Sequence, residues 1–294
     1  MKLGYFADGP WAHNAFHKIQ ADPGFTIAFV CVRNDFRDPV LVELAGRHGI
    51  PVLCHPRVNS DEFHAELRKY PCDLFVSMSF NQIFRPKTFS LPPLQTINCH
   101  AGKLPFYRGR NILNWALIND EREFGITVHH VDEGIDTGDI VLQRSYPITD
   151  DDTYETLLKR AHHDCAAILY DALVRIRAGD APRIQQQTIH PVGMYCGPRR
   201  PGDERLDWNQ PSRRVFNFVR ALCRPGPQAT CRRQDAPVRI NRVALVPDAP
   251  TYIGIPGQVL GRIQGKLIVK TADSFVEVVE HESETPIRTG DRLV

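Results

Sequence analysis

Thr96-Ile97-Asn98-Cys99-His100-Ala101-Gly102-Lys103-Leu104-Pro105-Phe106-Tyr107-Arg108-Gly109-Arg110 places a strand, a turn and three candidate chemical groups side by side. The apolar run at residues 94–97 reads as a buried strand, and Gly102 and Pro105 break it into a turn. Side chains alternate along a strand, so Asn98 and His100 share one face and Cys99 takes the other. Asp136 lies 36 residues beyond His100, in the run Gly134-Ile135-Asp136-Thr137-Gly138-Asp139.

Working outward, residues 2–7, 26–32, 74–78 and 96–99 read as strands. Amphipathic segments around 13–20, 39–48 and 61–69 lie between them, the last two reading as helices. This alternation predicts an α/β fold, a Rossmann-like, mostly parallel sheet with helices on both faces. Ligands of such sheets collect beyond the carboxyl ends of the strands, where Asn98 and His100 fall. A helix at 111–119, strands at 125–131 and 140–146, and a long helix within 150–179 continue the domain. Asp150-Asp151-Asp152-Thr153 opens that long helix with good capping residues. A catalytic domain over residues 1–196 is expected, then a Pro/Gly/Arg linker at 197–210. Residues 211–294 should form a small β-rich domain, an OB-like barrel or a sandwich. It opens with a short helix at 211–222, and strands are expected at 238–245, 257–260, 266–270 and 275–279.

Composition narrows the function. With 36 basic and 34 acidic residues, a formal charge of +2 speaks against binding driven by phosphate neutralisation, so no nucleic-acid partner is expected. The eight cysteines are scattered without a Cys-x-x-Cys pair, which predicts reduced thiols in a cytoplasmic protein. The first residues carry no sustained apolar stretch of a secretory leader, and no run approaches the roughly 20 residues that span a bilayer, so no membrane partner is expected.

An Asn amide, an imidazole and a carboxylate suit acyl transfer to an amine that the substrate brings. That reaction develops an oxyanion, and one preorganised donor to it is worth about 3 kcal/mol. His exchanges protons near neutrality, and a neighbouring Asp favours its charged form and fixes its tautomer. The plainer alternative is a turn Asn, a surface His and a loop-capping Asp; their clustering at the ligand edge of the sheet favours chemistry. Cys99 faces the other way and should pack. His129-His130 and His162-His163 invite a metal reading, but adjacent residues face apart and no further ligand stands at a suitable spacing, so no metal is expected. Lys103 and Arg108 are candidates for clamping an anionic group such as a diphosphate. Asp8-Gly9-Pro10-Trp11 after the first strand lacks the Gly-x-Gly-x-x-Gly of dinucleotide enzymes.

Asn98-Cys99-His100, the loop from Leu104 to Gly109 and Asp136-Thr137-Gly138 together resemble the folate-dependent formyltransferases. That family includes glycinamide ribonucleotide transformylase, methionyl-tRNA formyltransferase and the nucleotide-sugar N-formyltransferases. The resemblance extends through Arg110 to Trp115, residues 125–128, Leu206-Asp207-Trp208 and Val219-Arg220-Ala221. It implies N10-formyltetrahydrofolate as formyl donor, no metal, and Asn98, His100 and Asp136 as catalytic residues. It further implies cofactor contacts, largely through backbone, at Ser77, Met78, Ser79, Phe80, Ile83, Leu104, Asp132 and Gly134. Substrate contacts are implied at Asn81, Lys103, Tyr107 and Arg108.

Departures bear on the acceptor. The segment 32–40 is short and holds only Arg33 and Arg37, where the tRNA enzymes carry a longer basic insertion. Gly-Lys-Leu-Pro at 102–105 and the wording of 134–140 look most like nucleotide-sugar enzymes, whereas Pro225-Gly226-Pro227-Gln228 replaces a common Pro-Gly-Ala-Phe. The reading is therefore formyl transfer to the primary amine of a nucleotide-linked amino sugar, as in surface or lipopolysaccharide biosynthesis, by a protein that could form a homodimer. The alternatives are methionyl-tRNA formylation, hydrolysis of 10-formyltetrahydrofolate and a silent nucleotide-sugar binder.

Overall fold

The computed structural model describes residues 1–294. The chain begins β1 (Lys2–Ala7), α1 (Gly9–Gln20), β2 (Thr26–Cys31), α2 (Pro39–Arg47), β3 (Val52–Leu53), α3 (Asp61–Leu67), β4 (Leu74–Met78) and α4 (Pro86–Phe89). It continues with β5 (Thr96–His100), β6 (Arg108–Gly109), α5 (Ile112–Ile118), β7 (Glu123–His130), β8 (Ile140–Pro147), α6 (Tyr154–Ala178) and β9 (Tyr195–Cys196). Last come α7 (Ser212–Leu222), β10 (Ala229–Arg233), β11 (Ala236–Leu245), β12 (Val259–Ile263), β13 (Lys266–Lys270) and β14 (Phe275–Ser283).

These form two compact units that interleave along the chain. The first comprises Met1–Gly109, Phe124–Tyr146 and Lys159–Cys196; the second comprises Arg110–Glu123, Pro147–Leu158 and Gly197–Val294. In the first, seven strands run in the order β3-β2-β1-β4-β5-β7-β8. β1 pairs in parallel with both β2 and β4, so the strand order reverses at β1, and β4 pairs in parallel with β5. β7 is antiparallel to β5 and sets Asn98 opposite His129 and His100 opposite Thr127. Local signals start the helices α2 and α3. Asp38 caps α2 by accepting from the N–H groups of Val40 and Leu41, with Pro39 at the first position, and Ser60 caps α3 through Phe63.

Each face of the sheet has its own core. On one, Phe6, Phe29, Cys31 and Phe75 pack with Phe63 and Leu67 of α3 and with Phe84. The Phe6 ring meets those of Phe29, Phe75 and Phe84 edge-on at 5.4, 5.2 and 4.9 Å, a favourable quadrupole arrangement. Gly4 makes the crossing possible, because a Cβ there would meet the Phe29 and Phe75 rings at 2.5 and 2.6 Å. On the other face, the Tyr5 hydroxyl donates to the carbonyl of Ala12 in α1, and Cys99 Sγ to that of Cys165 in α6. All eight cysteines are free.

In the second unit, β10-β11-β14-β13-β12 form an antiparallel sheet that closes into a barrel. The closure is made by the last residues: Arg233 bridges Leu293 and Gln258 bridges Arg292, joining the two edge strands. α5 belongs here, since the Asn114 amide donates to the Ala221 carbonyl of α7. From α7, buried Arg220 donates to the carbonyls of Thr149 and Asp152.

Two expectations need correction, and some short strands are additional to them. The strand before Asn98 starts at Thr96, and Leu94 is exposed, because Gln95 adopts a positive φ of 66° that an extended strand cannot contain. The strand expected at 257–260 is β12 at Val259–Ile263, shifted because Gly257 sits at φ +80° against the Leu293 carbonyl. The short strands β3, β6 and β9, and β10 with its Cys-Arg-Arg run, were not foreseen.

Candidate active site

β5 presents Asn98 and His100 on one face while Cys99 Sγ points away, 3.5 Å from the Cys165 carbonyl. His100 is buried, and its Nε2 lies 2.7 Å from the Tyr107 carbonyl. A carbonyl only accepts, so Nε2 carries a hydrogen and Nδ1 is the nitrogen turned toward Asp136, whose Oδ2 is 3.5 Å away. Gly102 leaves room for this arrangement: a Cβ there would stand 2.4 Å from both His100 Nε2 and the Tyr107 carbonyl oxygen.

Asp136 is largely buried, and its Oδ2 accepts from the Gly109 N–H at 2.9 Å. Burial alone would raise its pKa. The opposing attraction of His100 and His129, with the Gly109 hydrogen bond, wins and holds the carboxyl well below the usual carboxylate range. The acid is therefore ionised at every physiological pH.

His129 completes the set and escaped the sequence reading, which weighed it only as a metal ligand. Its Nδ1 donates to the His130 carbonyl at 2.7 Å, which turns Nε2 toward the other groups. Nε2 lies 3.3 Å from Asn98 Nδ2 and 3.3 Å from Asp136 Oδ1. The available signal was register, because a strand antiparallel to β5 brings a residue of the His-His pair directly opposite Asn98. His130 faces away and is buried; desolvation, then the positive charge of Arg183, depress its pKa to about 4.

The remaining candidates separate. Ser77 lies next to the end of β4, opposite Asn98, with Ser79 at φ +59° and exposed Ile83 beyond. Phe80 leans on the Phe6 ring at 5.5 Å, and Asn81 donates to Asp35 at 3.1 Å. The Met78 side chain is not offered to a ligand; it is buried and its sulfur lies 3.7 Å from the Tyr5 hydroxyl oxygen. Leu104 is also buried, and its carbonyl accepts from Gln143. Asp132 turns back into its own loop, accepting from Gly134 N–H and Thr137 Oγ1, and Gly134 lies against Thr137. Lys103 packs its stem over Gly125 of β7. Tyr107 is buried at φ +56° and acts through its carbonyl. Arg108, expected as an anion clamp, instead directs Nε and Nη2 at the Gln186 side-chain oxygen. Thr127 and Gln143 were missed: Thr127 Oγ1 donates to the Gly102 carbonyl and accepts from Gln143, pinning the turn after β5. No group of three or more His, Cys, Asp or Glu side chains is disposed to hold a metal ion.

Comparison with known proteins gives this arrangement a family. Residues 27–173 match the formyl transferase family pattern and residues 199–288 its formyl transferase C-terminal domain. A methionyl-tRNA formyltransferase of Pelotomaculum thermopropionicum is 32% identical over 247 residues, covering 82% of this chain and 76% of that protein. The crystal structure of WlaRD, a sugar 3N-formyl transferase crystallised with dTDP and 5-N-formyl-THF, superposes with a TM-score of 0.72 at 19% identity, covering 98% and 99% of the two chains. An N-formyltransferase from Helicobacter canadensis, in complex with folinic acid and dTDP-3-aminofucose, gives 0.73 at 20% identity over 96% and 100%. The chain belongs to the formyl transferase family.

Proposed function

We propose that this enzyme transfers a formyl group from N10-formyltetrahydrofolate to the primary amine of a nucleotide-linked amino sugar. The donor set fits such a cofactor: an amide, an imidazole and an ionised carboxylate share one site, while Cys99 faces the opposite side of the sheet and offers no competing nucleophile. Exposed Ile83 and Ile135 lie in the two loops assigned to the flat pterin ring. Bound there, N10-formyltetrahydrofolate would supply the activated formyl group, and the chain would supply the rest. Asn98 would donate to the oxygen on which negative charge develops. His100, with Nε2–H fixed on Tyr107, would exchange the proton released by the attacking amine through Nδ1. Asp136 would balance the imidazolium, with His129 holding the facing sides of Asn98 and Asp136.

The observation that carries the small-molecule acceptor is the fate of Arg33. In the short segment after β2 it donates to Asp35 at 2.6 and 3.0 Å and to Asp8 at 3.1 Å. That leaves Arg37 as the other basic residue there, little for an RNA backbone to hold. The second reading, methionyl-tRNA formylation, is favoured by the names of the 32% and 34% identical relatives.

The test is formyl transfer with N10-formyltetrahydrofolate against thymidine-, uridine- and guanosine-diphosphate amino sugars, with methionylated initiator tRNA in parallel. A formamido sugar nucleotide is expected. Formylation of the tRNA alone would replace this reading with the second, and formate release without an acceptor would sink both.

A further inference from the structure

The loop that carries Asp136, residues 132–139, has no helix or strand of its own between β7 and β8. Asp136 itself adopts φ +53°, a left-handed conformation that a non-glycine residue keeps only where its surroundings hold it. The hold comes from a residue 50 positions further on. Gln186 is 3% exposed, and its side-chain NH2 donates to the carbonyls of Asp136 and Gly138, each at 2.8 Å. Its oxygen accepts Arg108 Nε at 3.1 Å and Nη2 at 2.7 Å. Both donors and both lone pairs of the amide are thereby engaged. Turning the amide over would set oxygen against two carbonyl oxygens and NH2 against a guanidinium, so Arg108 fixes which way Gln186 points.

We propose that Gln186, oriented by Arg108, is a positioning residue that fixes the Asp136 loop and so the carboxylate beside His100 and His129. Arg108 then serves catalysis through this chain of hydrogen bonds; an anion taking its Nε and Nη2 would have to displace Gln186. The inference rests on the proposed role of Asp136 in formyl transfer, but its geometry is independent of the acceptor.

Gln186→Glu separates the contributions. The carboxylate still accepts from Arg108 but has no hydrogen for the two loop carbonyls and repels them. Turnover is expected to fall about 10- to 100-fold, with KM for either substrate changed by less than about threefold. The acid limb of kcat should move to higher pH, because a displaced Asp136 loses the charges of His100 and His129 and the Gly109 N–H that keep it ionised. In the unliganded protein labelled with 15N-histidine, the ring resonances of His100 and His129 should both shift. A folded variant with unmoved resonances and unchanged turnover would overturn the proposal. Should Gln186→Glu not fold, Arg108→Met removes the orienting donors alone; the same resonances should move, and their constancy would equally overturn it. Because the spectra need no substrate, shifted resonances in a protein that formylates no acceptor would defeat the proposed function and leave this inference standing.

Discussion

Asn98 on β5 and His129 on β7 face each other directly across an antiparallel pair, with Nδ2 and Nε2 3.3 Å apart. The amide that would meet the reacting oxygen is thus held from the side by an imidazole whose own direction is set by the His130 carbonyl. The same Nε2 lies 3.3 Å from Asp136, so one ring ties together two of the three catalytic candidates. A neutral His129 accepts from Asn98, and a charged one donates to Asp136.

The first prediction follows from that tie. His129→Ala should lower kcat about 100-fold, the order expected when a catalytic group is misplaced by about 1 Å. Asn98→Ala should cost about 10²- to 10³-fold, as for loss of an oxyanion donor. The double variant should lose less than the product of the two, since both remove one coupled arrangement. Steady-state kinetics on the four proteins measures this, and strict multiplicativity would refute the coupling.

Gly102→Ala tests the packing under His100. The added methyl would meet the imidazole nitrogen and the Tyr107 carbonyl oxygen at 2.4 Å, and neither is the loose end of a flexible chain. Overpacking of this kind costs about 1–3 kcal/mol. Both Tm and kcat should fall, and denaturation curves with turnover assays will report it. A variant with wild-type Tm and kcat would mean that the His100–Tyr107 bond is not needed.

The shared face of Asn98 and His100 was legible in the sequence, because strand alternation pairs them and sends Cys99 to the other side without any tertiary information. The sequence did not carry His129, Gln143 or Gln186, whose roles arise from contacts between elements distant in sequence. Arg108 shows the limit sharply. A basic side chain close in sequence to His100 reads as an anion clamp, and only the position of Gln186 reveals that its Nε and Nη2 are taken. The barrel was legible as a class, but its closure depends on Arg292 and Leu293 bridging two edge strands, which no local pattern announces.

Asp136 predicts a pH signature of stability. Its folded pKa is depressed below the unfolded value of about 4, so the ionised form stabilises the fold at any pH above that value. This contribution is lost as pH falls from about 4 toward the folded pKa. Asp136→Asn removes it at all pH values. The stability gap between wild type and variant should therefore close progressively as pH falls below about 4. Urea titrations across this range measure the gap; one that stays open at full size well below pH 4 would contradict the depressed pKa of Asp136.

Cys99 offers the sharpest negative control. It stands between Asn98 and His100 in sequence and is the residue that a covalent acyl-transfer mechanism would select. Strand alternation sends its sulfur to the opposite side of β5, where it is buried against the Cys165 carbonyl of α6. A thiol there has no path to a formyl carbon held on the Asn98 face. Cys99→Ala should cost about 1 kcal/mol in stability through lost packing, and turnover should stay within about threefold of wild type. The variant should also resist trapping: mass spectrometry of quenched wild-type reactions should find no formylated cysteine. A loss of activity comparable to that of His100→Asn, or a thioester on Cys99, would overturn direct transfer to the amine.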